Sequence, residues 1–103
     1  MPLQFIKANR VRQIISTDLY GELPVGRGGC RYIFTCIDVF SRYVHLYPIK
    51  KANAKTLIDK LINHYIPTYG DIESVINDKG PQYISKDFKD KLTQKNIKIL
   101  YKP

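Results

Sequence analysis

The sequence predicts an α/β domain, a mixed five-stranded sheet with flanking helices in the order β-β-β-α-β-α-β. Three early segments are rich in apolar, β-branched and aromatic residues, and they lie close enough in sequence to pair antiparallel. Two later segments have the apolar spacing of helices, and a short apolar strand follows each of them. A hairpin-rich start that passes into βαβ crossovers is typical of a mixed sheet with helices packed on it.

The three early strands are separated by segments typical of loops and turns. The first, RQIISTDL, ends near Asp18, and the glycine-rich YGELPVGRGG that follows is a loop. The second, CRYIFTCIDVF, is apolar on both alternating faces, as expected of a strand inside a sheet. After a short turn at Ser41, RYVHLYPI is the third strand.

The first helix is predicted over residues 53–66, with Asn53 as its N-cap and with Pro67 and Gly70 ending it. ESVIN is then a brief strand, Ser85 caps a second helix through DFKDKLTQK, and IKILY is the last strand. The apolar spacing of the first helix predicts a buried face formed by Leu57, Ile58, Leu61 and Ile62.

Size and charge limit the possible functions. The 103 residues suit one small domain, spanning residues 1–103, in which residues 1–12 form a loose N-terminal segment. Seventeen Lys and Arg against nine Asp and Glu give a net charge of +8, which favours a polyanionic partner. No apolar run approaches membrane-spanning length, and the start lacks the apolar core of a signal peptide. We therefore expect a soluble, intracellular protein without a membrane partner.

The two cysteines do not predict a disulfide or a zinc site. Cys30 and Cys36 lie in one predicted strand, so they should be roughly 20 Å apart, beyond the reach of a disulfide. They are expected to be free thiols in a reducing compartment. The chain has only His45 and His64 besides, and no C-x-x-C pair, so it offers no set of zinc ligands.

Two aspartates, Asp18 and Asp78, lie where predicted strands end. Phosphoryl transfer on a nucleic acid can use two divalent ions, and these need hard oxygen ligands brought together from distant segments. Aspartates at the ends of neighbouring strands can meet this requirement. The alternative is that each aspartate only stabilises a solvent-exposed turn, because aspartate often caps turns through its own side chain.

Several motifs occur together in one order: TDLYGELP, then YIFTCIDVFSR, then DKGPQY. From about Ser16 to its last residue, the chain resembles the integrase catalytic core of retroviruses and gypsy-type LTR retrotransposons. The resemblance implies a ribonuclease-H-like fold and a DDE polynucleotidyl transferase that uses Mg²⁺ or Mn²⁺. It implies DNA as the partner, with 3′-end processing of element DNA and strand transfer into target DNA. A homo-oligomer and a nuclear location are expected for the complete protein.

The resemblance assigns roles to particular residues. Asp18 matches the first catalytic, metal-binding aspartate of the family and Asp78 matches the second. Asp38 matches a position that is not usually a ligand, and we expect it to order the turn at Ser41. The third carboxylate of the family is a glutamate on a later helix. In the family it lies further beyond the second aspartate than this chain extends beyond Asp78. A C-terminally truncated core that is inactive by itself is therefore expected.

Basic residues near these motifs are candidate nucleic-acid contacts, although lysines commonly form ordinary solvated faces. The candidates are Lys50, Lys51, Lys79 and Lys86. Two other functions remain open. One is a non-catalytic remnant that binds nucleic acid or a protein. The other is a ribonuclease H, although that family expects a glutamate on the first helix, where this chain carries only Asp59.

Overall fold

The structure is a computed structural model that describes residues 8–22, 24, 29–78, 83 and 85–101. Five strands form one sheet: β1 (Ile14–Tyr20), β2 (Tyr32–Asp38), β3 (Val44–Ile49), β4 (Ser74–Asn77) and β5 (Lys98–Tyr101). The first helix, α1, has three consecutive parts, Ala54–Ile58, Asp59–Tyr65 and Ile66–Tyr69, and the second, α2, spans Lys86–Gln94. Within this described part of the chain, no helix is long and apolar enough to cross a membrane.

The strand order across the sheet is β3-β2-β1-β4-β5. The first three strands pair antiparallel, whereas β4 pairs parallel with β1, and β5 pairs parallel with β4. The prediction of a mixed five-stranded sheet in the order β-β-β-α-β-α-β is therefore confirmed. Because β2 alone runs in the opposite direction, the C-terminal ends of the other four strands lie together at one end of the sheet. This end, which runs across the strands, is the C-terminal edge.

Helix α1 is longer than predicted, because it continues past Pro67 to Tyr69. Asn53 caps its start, where the side-chain oxygen accepts a hydrogen bond from the Thr56 backbone N–H at 2.9 Å. The middle part, Asp59–Tyr65, is wound as a π-helix, and the Ile66 N–H donates to the Leu61 carbonyl five residues earlier. A proline inside an α-helix clashes with the carbonyl four residues back. The wider winding changes this spacing just before Pro67.

The core lies between the sheet and the two helices. Leu57 and Leu61 of α1 are fully buried there, and Ile58 and Ile62 pack against the same cluster. Helix α2 adds Phe88 to this core and begins at the predicted cap, where Ser85 accepts from the Phe88 backbone N–H. The opposite face of the sheet carries a smaller apolar cluster of Ile14, Val39 and Ile76.

The described cysteines are free thiols, as predicted. Cys36 is fully buried in β2, and burial raises the pKa of its thiol from 9.0 to about 12. Above about pH 9 the unfolded chain therefore loses a proton that the folded chain keeps, so stability must fall as pH rises towards about 12. We expect the urea midpoint to fall over this range. In Cys36→Ala the midpoint should fall less steeply below about pH 10, the pH at which tyrosines also begin to lose protons in the unfolded chain. An unchanged pH profile in the variant would contradict this.

Candidate active site

The two carboxylate-bearing strands lie side by side. β1 and β4 run parallel with a constant register, pairing Ile14 with Ser74, Ile15 with Val75 and Ser16 with Ile76. Extended by two residues beyond the last of these pairs, the same register aligns Asp18 with Asp78. Neighbouring strands are roughly 4.8 Å apart, so the backbones of the two aspartates are brought together at the C-terminal edge of the sheet.

The side chains of both aspartates are accessible at this edge. Asp18 is half-buried and its Oδ1 accepts a hydrogen bond from the Leu19 backbone N–H at 3.0 Å, while Asp78 is exposed. Ile15 and Leu19 face the helices, so strand alternation places Asp18 on the other face of the sheet.

The buried phenol of Tyr83 lies within electrostatic reach of both carboxylates. Burial is the main cause that raises the pKa of Tyr83, the Thr17 hydroxyl opposes it, and the charges of Asp78 and Asp18 raise it further. A proton on this phenol is therefore retained while both carboxylates are charged.

The paired carboxylates suit a hard divalent cation. Mg²⁺ and Mn²⁺ prefer carboxylate oxygen, and Mg²⁺ commonly binds through one or two carboxylates while keeping several waters. A bound ion would also relieve the repulsion between the two charges. Within the described ranges, no group of three or more His, Cys, Asp or Glu side chains could hold a metal. Asp18 and Asp78 would supply two oxygen ligands to such an ion.

Three of the four predicted nucleic-acid contacts are described. Lys50 and Lys51 are exposed just after β3, and Lys86 is exposed at the start of α2. Because β3 runs parallel with β1, and because α1 and α2 both follow strands that end at this edge, all three lysines lie at the edge that carries Asp18. Lys79 lies outside the described residues.

Register gives the approximate span between the aspartates and these lysines. Asp18 pairs with Thr35, which pairs with Leu46 of β3, two strands or roughly 10 Å away across the sheet. Lys50 follows Leu46 by four residues, roughly 13 Å further along if the chain stays extended. These two steps combine to roughly 16 Å, a length that a nucleic-acid strand covers in about five nucleotides at 3.4 Å each.

A basic groove of about 520 Å³ adjoins Lys50 and Lys51. It lies between the end of β3 and the first turns of α1. Its one described acidic side chain is Asp59, so the groove carries a net positive charge and suits an anionic partner. The residues that line it are Cys30, Pro48, Ile49, Lys50, Lys51, Lys55, Thr56, Asp59 and Lys60.

Asp38 orders the turn between β2 and β3, as expected. It is 2% exposed, and its Oδ1 accepts a hydrogen bond from the Phe40 backbone N–H at 3.0 Å. Its Oδ2 accepts from the Arg12 backbone N–H at 3.1 Å, which also fixes the entry into β1. Asp38 therefore holds two segments at the sheet edge opposite the aspartate pair, and its role is structural.

Asp59 does not join the aspartate pair. Its Oδ1 accepts a hydrogen bond from Asn63 Nδ2 at 2.9 Å, and its Oδ2 lies 3.4 Å from His64 Nε2 on the surface of α1. The hydrogen bond from Asn63 is the main cause that lowers the pKa of Asp59. The ribonuclease H alternative requires a carboxylate from the first helix at the site, and α1 places this one on its own surface.

Three polar side chains near the pair were not predicted from the sequence. Thr17 and Asn77 are buried immediately before the two aspartates, where Thr17 Oγ1 donates to Asn77 Oδ1 at 2.5 Å, and Tyr83 is buried beside them. One signal in the sequence was available, because a polar residue precedes each aspartate in a strand that is otherwise mainly apolar.

A mixed five-stranded sheet with two helices on one face, and two aspartates at the ends of adjacent parallel strands, defines a ribonuclease-H-like domain. The model of the family described as integrase core domain matches residues 8–102. The chain belongs to the integrase core domain family. The resemblance to retroviral and retrotransposon integrases is therefore confirmed.

Curated relatives include viral polyproteins. The Gag-Pol polyprotein of avian reticuloendotheliosis virus is 31% identical over 67 residues, which are 65% of this chain and 6% of that protein. The Gag-Pol polyprotein of feline leukemia virus is 34% identical over 67 residues, which are 65% of this chain and 4% of that protein. The chain thus spans a small part of the polyproteins that it matches.

Solved structures show the same fold. The HTLV-2 integrase catalytic core domain, in a dimeric form with magnesium, superposes with a TM-score of 0.80 at 20% identity, over 92% of this chain and 63% of that one. A chain of the simian T-cell lymphotropic virus intasome, in complex with PP2A regulatory subunit B56 gamma, gives a TM-score of 0.75 at 22% identity. That match covers 88% of this chain and 32% of the other.

Proposed function

We propose that this chain forms the catalytic core of a retroelement integrase, a polynucleotidyl transferase that processes the 3′ ends of element DNA and joins them to target DNA. The parallel register of β1 and β4 is the main support for the proposal, because its extension by two residues aligns Asp18 with Asp78 at the edge where Lys50, Lys51 and Lys86 lie. Membership of the integrase core family and the likeness to a core domain solved with magnesium support it. We also propose that the complete protein forms homo-oligomers and acts in the nucleus.

Each group has a role in this proposal. Asp18 and Asp78 would hold Mg²⁺ or Mn²⁺, and the bound ion would supply activation of the attacking oxygen and stabilisation of the leaving one. Lys50 and Lys51 attract the phosphate backbone by charge, without reading sequence. Tyr83, which remains protonated, adds no negative charge to the pair.

Titration with Mn²⁺ tests the site directly. We expect Asp18→Asn and Asp78→Asn each to weaken Mn²⁺ binding at least tenfold in calorimetry, because each removes one of two charged oxygen ligands. Neither should destabilise the fold, since the metal-free pair is repulsive. Asp71→Asn is the matched control, because Asp71 is an exposed aspartate three residues before β4, at the other end of that strand from Asp78. Equal Mn²⁺ affinity in all four proteins would contradict the assignment.

A non-catalytic nucleic-acid-binding domain is the second candidate. It is favoured because two-ion catalysis needs more than two protein ligands, and the described residues contain no group of three or more His, Cys, Asp or Glu that could hold a metal. We expect the 103-residue chain to bind Mn²⁺ and DNA without strand transfer, and a chain extended to supply a further carboxylate to gain that activity. Strand transfer by the 103-residue chain would refute this second candidate. Failure of the extended chain to gain activity would favour it.

A further inference from the structure

A buried polar pair lies immediately before the two aspartates. Thr17 is 1% exposed and Asn77 is fully buried, and Thr17 Oγ1 donates a hydrogen bond to Asn77 Oδ1 at 2.5 Å. The backbone pairing of β1 with β4 extends to Ser16 and Ile76. The side-chain hydrogen bond continues this pairing by one residue, up to the aspartates themselves.

Stability alone does not account for this pair. A buried polar group is costly unless it is hydrogen-bonded, and apolar groups of the same shape can replace both partners at little cost. Among the described residues, Asn77 Nδ2 is buried and has no hydrogen-bond partner. A β-branched apolar side chain would suit both positions better in a strand. The polar pair therefore calls for a role other than burial.

Fixing the register of two strands is a role that such a pair can fill. Buried polar contacts can select one register, since any slip leaves their groups unpaired. Tyr83 is buried beside the pair, close enough for the Thr17 hydroxyl and both aspartates to affect its pKa. The cluster thus includes the residue before each predicted ligand, and Tyr83 belongs to the core on the helix-covered face of the sheet.

We propose that Thr17 and Asn77 are positioning residues that fix the separation and orientation of Asp18 and Asp78 for metal binding. The inference rests on the proposed function insofar as the ligand is a divalent cation. The hydrogen bond acts through the backbone, because each of its two side chains immediately precedes one of the aspartates. Without it, the ends of β1 and β4 can move apart while the core below them stays packed.

A double isosteric variant, Thr17→Val with Asn77→Leu, separates positioning from stability. We expect its melting temperature to stay close to that of the wild type, since both polar partners are replaced together. Its Mn²⁺ affinity should fall at least tenfold in calorimetry. Thr17→Ser keeps the hydroxyl and should retain affinity within about twofold, whereas Thr17→Val alone should lose it. Ser74→Ala is the control, because Ser74 is buried in β4 at the other end of the strand.

A measurement without metal keeps this inference distinct from the proposed function. Backbone ¹⁵N relaxation should show well-ordered amides at Asp18 and Asp78 in the wild type and lower order at both in the double variant, or in Thr17→Val if the double variant does not fold. If the wild type binds no Mn²⁺ but this loss of order occurs, the proposed function fails and the positioning role stands. Unchanged order at both amides in the variant, or unchanged Mn²⁺ affinity where the wild type binds the metal, would overturn the positioning role.

Discussion

Asp38→Ala is expected to lower the free energy of unfolding by about 2–4 kcal/mol, because it removes one acceptor from each of two backbone donors. The carboxylate is buried and receives hydrogen bonds from the Phe40 and Arg12 backbone N–H groups. Urea unfolding measures the change as a lower midpoint at constant slope.

The conformations of the two segments that Asp38 holds explain why the effect should be large. Arg12 and Arg42 both adopt left-handed backbone conformations, with φ of 62° and 68°, which are unfavourable for side chains other than glycine. The Asp38 carboxylate accepts from the Arg12 N–H at 3.1 Å, and the Asp38 carbonyl accepts from the Arg42 N–H at 2.7 Å. Asp38→Ala removes the hydrogen bond from the Arg12 N–H directly.

Asp87→Ala is the matched control for Asp38→Ala. Asp87 is an exposed aspartate in the first turn of α2, where it interacts favourably with the helix dipole. Its removal should cost at most about 1 kcal/mol. If Asp38→Ala unfolds at the same urea concentration as the wild type, the two backbone donors find other partners and Asp38 does not fix the turn.

The elements of the fold were predictable because each depends on local pattern. CRYIFTCIDVF is apolar on both alternating faces because its strand lies inside the sheet, and the helical spacing at Leu57 and Leu61 arises from burial on one side of the helix. The end of α1 was not predictable in the same way. Pro67 is a strong signal for a helix end, and the π-helical winding that lets the helix continue to Tyr69 depends on how the whole helix packs.

The same distinction between local pattern and tertiary packing applies to the candidate site. Asp18 and Asp78 could be proposed from motifs, and a parallel pairing of their strands was sufficient to bring them together. The hydrogen bond between Thr17 and Asn77 could not, because it depends on the exact register between segments 60 residues apart. Threonine is also a common strand residue, so its presence in β1 is only a weak signal of a buried contact. Tyr83 follows the motif aspartate, yet only the tertiary structure places its phenol near both carboxylates.

Replacing Lys50 and Lys51 together by alanine is expected to weaken DNA binding roughly tenfold or more at low salt, because two phosphate contacts are lost. Each neutralised phosphate contributes about 0.9 to the slope of log affinity against log salt, so the slope should become shallower by about 1.8. We expect the loss of affinity to depend on the position of the two lysines as well as on their charge. Both are exposed at the sheet edge that carries the aspartate pair, and both line the basic groove. Fluorescence anisotropy with a short duplex over a salt series measures both quantities.

The matched control replaces Lys95 and Lys98 by alanine. These lysines are also exposed, and they lie at the end of α2 and the start of β5, which is the opposite edge of the sheet. The double control variant has the same net charge as the double variant at Lys50 and Lys51, so any loss of long-range attraction is common to both. A specific interface at the aspartate edge predicts a much smaller loss of affinity in the control. Equal losses in the two variants would show that DNA responds only to the overall charge of +8, and the lysines after β3 would then have no particular role.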